Sequence, residues 1–254
     1  MHPNRWFDWL PWRRPPPPIA EPQWQIALAN CPLAWRLTSS DRQQLRQLAA
    51  RFLERKRFFP TDMQLDATQR LLIAMQACIP VLHLGFRALR GWQSVIVYPG
   101  PFRVQRPHRE AGTGVVSDDD SVLVGEAWHL GPLVLSWDTV EHDLAEPWRG
   151  ENVVAHEIAH KLDMLDGPPD GVPVLPRGLS RPAWIDTFQS AFDRLTQQLA
   201  HGEPGLIDAY AATNPAEYFA VVSALHFSDP GRLAAAEPGV AACLRAYYGP
   251  SPAP

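Results

Sequence analysis

A cationic surplus, a paired cysteine framework and any long apolar run are all missing from this chain. Lys and Arg number 23 against 27 Asp and Glu, a formal net charge of −4. Binding by phosphate neutralisation draws on excess cations, so no direct nucleic-acid partner is expected. The three cysteines, Cys31, Cys78 and Cys243, are odd in number and far apart. They supply neither a disulfide framework nor a cysteine metal site, and a reducing compartment is expected. The most apolar stretch, Leu71 to Phe86, is interrupted by Gln76, Pro80 and His83 and is too short to span a bilayer. Residues 1–18 scatter Arg5, Asp8, Arg13 and Arg14 among tryptophans, without the apolar centre of a signal peptide. A cytoplasmic protein is the expectation. No internal repeat is visible.

With 254 residues, 46% of them hydrophobic and 20% charged, the chain has the material for a full core. Residues 1–20 read as a flexible tail, with Trp6, Trp9 and Trp12 ahead of a stiff Pro15–Pro18 spacer. This tail could touch a membrane interface or a partner, or fold back over a groove on its own domain. Residues 21–90 read as an N-terminal helical part, 91–248 as a catalytic part that could be continuous with it, and 249–254 as a disordered end.

Local signals then place the elements. Ser40 is a good N-cap for a helix over 41–56 that buries Leu45, Leu48, Phe52 and Leu53, and the Arg51–Arg57 charge run reads as its solvated end. A second helix runs over 67–78 and stops before Pro80. Ser94–Tyr98 reads as a short buried strand ended by Pro99-Gly100. Residues 112–120 read as a loop in which Asp118, Asp119 and Asp120 form a solvated acidic turn. Two further strands, 121–128 and 132–137, form a hairpin around His129-Leu130-Gly131. The stretch 138–150 reads as a connector, and Gly167 to Gly171 as a break. Ser180 caps a helix over 181–200, Asn214-Pro215 begins another, and a last helix covers 232–247.

The most informative stretch is 152–166. His156, Glu157 and His160 form H-E-x-x-H within an apolar stripe of Val153, Val154, Ile158, Leu162 and Leu165 at helical spacing. Residues four apart lie one turn above each other, so both imidazoles face the same way and can ligate one zinc ion. Glu157 lies one step round the helix, placed to take a proton from a zinc-held water whose pKa falls to about 7. Histidines on a helix can be merely solvated, but this cluster sits on a helix that buries its flanks, where it would be costly without partners.

Two histidines leave a third ligand to be found. Asp163 and Asp166 continue the motif as H-E-x-x-H-x-x-D-x-x-D. A local third ligand needs a sharp turn after His160, and Asp163 lacks the freedom of glycine to make it. Asp163 suits a carboxylate that orients an imidazole. Glu217 is the other candidate, although Asn214, Pro215 and Glu217 also read as a helix-capping set. From the residues alone Glu217 and Asp166 both stay open.

His156 to Gly167 resembles the zinc helix of the Mlc titration factor A family of bacterial metallopeptidases. So do Gly131-Pro132-Leu133-Val134-Leu135-Ser136-Trp137-Asp138 before it and Asp208 to Glu217 after it. The similarity covers roughly 40–245, in three ordered blocks. It implies an α+β zincin-like fold, a small twisted sheet packed on the H-E-x-x-H helix with flanking helices. It also implies one zinc per chain on His156, His160 and Glu217, with Glu157 as catalytic base and Tyr210 as a supporting group for the oxyanion. The implied activity is aminopeptidase-like, on a peptide or protein substrate. A second implication is capture of a transcriptional repressor of the Mlc type that governs sugar uptake. Asp163, Asp166 and Glu126 are the carboxylates that could receive a substrate amine. Nothing in the Trp/Pro tail matches.

Overall fold

The structure, a computed structural model, describes residues 16–100, 125–127 and 131–253. The tryptophan tail through Pro15, the acidic turn at Asp118–Asp120 and parts of the expected hairpin lie outside the described residues. The fold is α+β and mostly helical.

Helix α1 (Glu21–Ala29) opens the described chain, with Pro22 in its first turn and Trp24 and Ala27 buried. Helix α2 (Ser39–Arg55) starts two residues earlier than its sequence suggests, because Thr38, not Ser40, is the cap. The Thr38 hydroxyl accepts the Asp41 N–H at 3.1 Å. Strand β1 (Arg57–Pro60) follows at once, where a solvated helix end was expected. Helix α3 (Ala67–Cys78) matches its expected bounds and begins with a capping box. Asp66 accepts the Gln69 N–H at 2.7 Å, and the Gln69 side chain accepts the Asp66 N–H at 2.9 Å.

Strands β2 (Ser94–Tyr98), β3 (Gly125–Ala127) and β4 (Leu133–Ser136) join β1 in a four-stranded sheet of order β1-β2-β4-β3. The first three in that order are parallel. β3 runs antiparallel to β4, pairing Ala127 with Leu133 and Gly125 with Leu135, as the hairpin reading requires. β4 is buried at all four positions, a sign of cover on both faces.

Ser136 ends β4 and caps helix α4 (Trp137–Ala145), in the stretch taken from sequence as a connector. Helix α5 (Val153–Asp163) carries H-E-x-x-H and packs against β3, β4 and α3. Helix α6 (Arg181–Ala200) has its expected bounds and its Ser180 cap. Helix α7 (Pro215–Ser228) crosses the interior beside α5, buried on nearly every side. The expected last helix is two, α8 (Pro230–Ala236) and α9 (Pro238–Tyr248). Pro238 has no N–H to continue α8 and forces Glu237 out of helical geometry, at φ −141°. The expected disordered end is described through residue 253, with Pro252 buried.

Buried apolar side chains form one connected cluster from Ile19 to Tyr248. Residues 21–90 and 91–248 therefore share a core. No helix among the described residues is long and apolar enough to cross a membrane.

Candidate metal centre

The start of α5 is held by three side chains from three parts of the chain. Asn152 is the N-cap, and its Oδ1 accepts the Ala155 N–H at 2.7 Å. Asp143, at the end of α4, accepts the Val153 N–H at 2.7 Å. Asn152 Nδ2 in turn donates to Gln76 Oε1 of α3 at 3.0 Å, all within the core. Two of the helix's orphan N–H groups are thus satisfied away from water. Val154, Ile158 and Leu162 are fully buried along one stripe, which fixes the rotation of the helix and the direction of its histidines.

His156 and His160 lie one turn apart, their Nε2 atoms separated by 3.2 Å. Glu217 meets them from the first turn of α7. Its Oε2 is 3.3 Å from His156 Nε2 and 3.2 Å from His160 Nε2. One ligand atom from each of the three lies within 4.8 Å of the others, a set that could hold a divalent metal ion. Two nitrogens and one carboxylate oxygen, with Glu217 only partly covered, fit a three-ligand centre with an open position.

The Glu217 backbone serves the helix while its side chain serves the site. Asn214 Oδ1 accepts the Glu217 N–H at 2.9 Å and Pro215 takes the first helical position. The carboxylate lies with the imidazoles rather than closing a capping box. A helix N-terminus also favours negative charge there.

The electrostatics follow from crowding these groups in a dry space. Burial alone would push the Glu217 carboxyl up, but hydrogen bonds from His156 and His160 outweigh it and hold the group well below the usual carboxylate range. Burial lowers His156. It opposes protonation of His160 as well, yet there the Glu217 hydrogen bond and the Glu157 charge prevail and the net shift is upward.

Glu157 is 2% exposed and its Oε2 has no hydrogen-bond partner among the described residues. Burial raises its carboxyl to about 8, with His160 and Lys161 pulling down and Glu217 pushing up. An orphaned carboxylate oxygen beside a ligand cluster is expensive unless the site has work for it. Lys161, next on the helix and also buried, donates from Nζ to the Gly131 carbonyl at 3.0 Å and so ties α5 to the entry of β4.

The other carboxylates separate clearly. Asp163 is buried, but its Oδ2 accepts the Gly171 N–H at 2.8 Å and its Oδ1 has no hydrogen-bond partner among the described residues. It holds the chain break after α5 instead of orienting an imidazole, a correction to its expected role. Asp166 is exposed and outside the cluster, which removes it as the third ligand. The Glu126 side chain lies outside the described residues.

Tyr210 stands at the rim, on a 3-10 turn (Ala209–Ala212) that packs against α7. It is 48% exposed, with its ring centroid 6.4 Å from that of His156. Gln76, Asp143 and Gly171 were not singled out from sequence as parts of the site. For Asn152, the polar residue just before an apolar helical run was a signal in plain view. For Gln76 and Asp143 there was none, because their partners are distant in the chain.

A helix-borne His pair met by a glutamate from a second helix, on an α+β fold, is an arrangement that suits the metallopeptidase class. Residues 8–249 match the model of the family described as glucose-regulated metallo-peptidase M90. The chain belongs to that family. It is 36% identical to Mlc titration factor A of Escherichia fergusonii over 248 residues, covering 95% of this chain and 91% of the relative. It is 37% identical to Mlc titration factor A of Pectobacterium atrosepticum over 251 residues, at 95% and 91% coverage. An uncharacterized protein of Synechocystis is 38% identical over 250 residues, at 96% and 89% coverage.

Proposed function

We propose that the protein is a zinc-dependent peptidase of the zincin type, aminopeptidase-like in action and cytoplasmic. The observation that carries this reading is the convergence of His156, His160 and Glu217 beside a buried glutamate with an unsatisfied oxygen. His156, His160 and Glu217 would hold the ion. When bound, zinc supplies a Lewis acid for a carbonyl oxygen and lowers the pKa of a coordinated water.

The chain's own residues carry the remaining steps. Glu157 accepts a proton at its carboxylate from the attacking water and returns it to the leaving amine. Its value of about 8 belongs to the metal-free site; a divalent charge alongside favours the ionised form that a base needs. Tyr210, exposed at the rim, donates its phenol to the developing oxyanion. Among the described strands β3 ends the sheet beside α5, so an extended peptide can add to its edge through backbone hydrogen bonds. Protection of the 125–127 amides against exchange on inhibitor binding checks that pairing.

The deciding experiment is hydrolysis of a mixed peptide library by zinc-loaded wild type and Glu157→Gln, with zinc content measured in both. Equal zinc in both, with cleavage by the wild type alone, supports the reading. Absence of zinc from both overturns it.

A second reading has its own support in the printed name of two relatives, Mlc titration factor A. In it the chain captures a repressor of the Mlc type that controls sugar-uptake genes, and its metal chemistry is secondary. Capture of purified Mlc by both proteins, with hydrolysis by neither, would favour it.

A further inference from the structure

The Arg51–Arg57 charge run acquires company in the folded chain that its sequence does not reveal. The last turn of α2 supplies Arg51, Arg55 and Lys56, and the 3-10 turn Phe86–Leu89 with its exit supplies Arg87 and Arg90. These five basic residues, from two segments more than thirty positions apart, line one groove of about 920 Å³. No acidic residue among the described residues lines it. Glu54 reaches Arg55 Nε at 3.3 Å from outside the lining, and neither Arg87 nor Arg90 has a carboxylate partner among the described residues. Across the whole chain acids outnumber bases by four, so the groove is a local reversal of the protein's charge.

The floor is built rather than incidental. Lys56 is 5% exposed and donates to the carbonyls of Leu89 at 2.6 Å and Trp92 at 2.7 Å. Its ammonium also lies 3.4 Å from the centre of the Trp92 ring. A buried cation thus pins the loop that carries Arg90 against the end of α2. On the wall, Arg51 lies over the Phe86 ring at 5.9 Å, which holds its guanidinium in place. Arg87 and Arg90 are exposed beside it, while exposed Arg55 pairs with Glu54. Burial lowers the Lys56 ammonium to about 7, so the groove's charge rests on Arg51, Arg55, Arg87 and Arg90; a compact polyanion relieves their mutual repulsion while accepting forked guanidinium hydrogen bonds.

We propose that this groove binds a small, multiply phosphorylated ligand of the inorganic tripolyphosphate or nucleoside triphosphate type. Its volume falls in the range of small-molecule sites. The chain's overall negative charge disfavours a long polyanion such as nucleic acid. The inference is independent of the peptidase reading.

Isothermal titration of the zinc-loaded full chain with tripolyphosphate, ATP and citrate tests it. The variants are Arg87→Glu/Arg90→Glu and, in case reversal disturbs the fold, Arg87→Gln/Arg90→Gln. Arg36→Glu/Arg245→Glu removes equal charge from exposed arginines elsewhere, and any stripping of the metal by phosphate appears in it too. Saturable one-to-one binding is expected for wild type and this control, weakening with salt and falling at least about tenfold in both groove variants. Tighter binding of ATP than of tripolyphosphate would assign a nucleotide; the reverse would assign the inorganic chain. Citrate binding as tightly as the phosphates, equal loss in the Arg36/Arg245 control, or no saturable binding at all would each overturn the proposal.

Discussion

The Gly171 N–H donates to Asp163 Oδ2 at 2.8 Å, and through that bond the chain break after the metal helix is tied back to the helix itself. Gly171 also accepts the Trp184 indole N–H from α6 at 3.1 Å. Its backbone has φ +81°, and a Cβ there would stand 2.7 Å from the carbonyl oxygen of Pro215, the first residue of α7. One glycine therefore limits the spacing between the helix that carries His156 and His160 and the helix that carries Glu217.

Gly171→Ala should lower stability by roughly 1–3 kcal/mol, from left-handed backbone strain and the clash with Pro215. It should also weaken metal retention, because α7 must shift. Thermal unfolding and bound metal, measured together, check this. Unchanged metal affinity in a destabilised variant would show that the contact supports the fold alone.

Glu217→Ala and Glu157→Gln should separate holding from chemistry. Loss of Glu217 removes one of three ligand atoms and should abolish stoichiometric metal binding at micromolar ion. Glu157→Gln should keep the metal and lose roughly 10²–10⁴-fold in hydrolysis, the range for a positioned general base. Metal analysis beside peptide turnover decides; a Glu157→Gln enzyme of wild-type rate is incompatible with its assigned role.

Asn152→Ala should cost about 1–2 kcal/mol, the upper range for a lost N-cap. It leaves the Ala155 N–H and Gln76 Oε1 without their partners inside the core. Denaturant unfolding measures the cost. A loss below about 0.5 kcal/mol would mean that water replaces the side chain there.

His226, near the far end of α7, is buried against Phe227 and Tyr248, and burial lowers its imidazole to about 4. The unfolded chain takes up this proton near pH 6.5, before the folded chain does. Acidification from about pH 6.5 to 4 should therefore remove stability, on the order of 3 kcal/mol in full. Asp143 and Asp163 work in the opposite sense. Burial raises each to about 6, so their folded forms bind protons first on acidification. The clean measurement is the difference between wild type and His226→Phe across this range. Parallel stability curves would remove His226 from the account.

Much of the site was legible because its signals are local. The four-residue spacing of His156 and His160 puts them on one helical face whatever surrounds them, and Ser180 and Asn214 mark helix starts by side-chain chemistry alone. Other elements were hidden by length or by partners far away. Four residues, Arg57 to Pro60, carry no strand signal of their own and become β1 only by pairing with β2. The stretch that forms α4 is short and polar enough to read as a connector. Asp163 shares the histidine face in sequence, yet the loop that returns to Gly171 claims it.

What the chain's order of residues determined by itself is the pair of histidines, the glutamate between them and the stripe that buries their helix, because helical periodicity needs no information from elsewhere. Local pattern left Glu217 and Asp166 both open; the resemblance favoured Glu217, and the tertiary structure brings that side chain to the histidines. Asp166 lies only six residues beyond His160 but points to solvent, whereas Glu217, fifty-seven residues on, reaches both imidazoles. That approach rests on how α7 packs against α5 and on the glycine that limits their separation, and packing between distant segments is not written in local pattern.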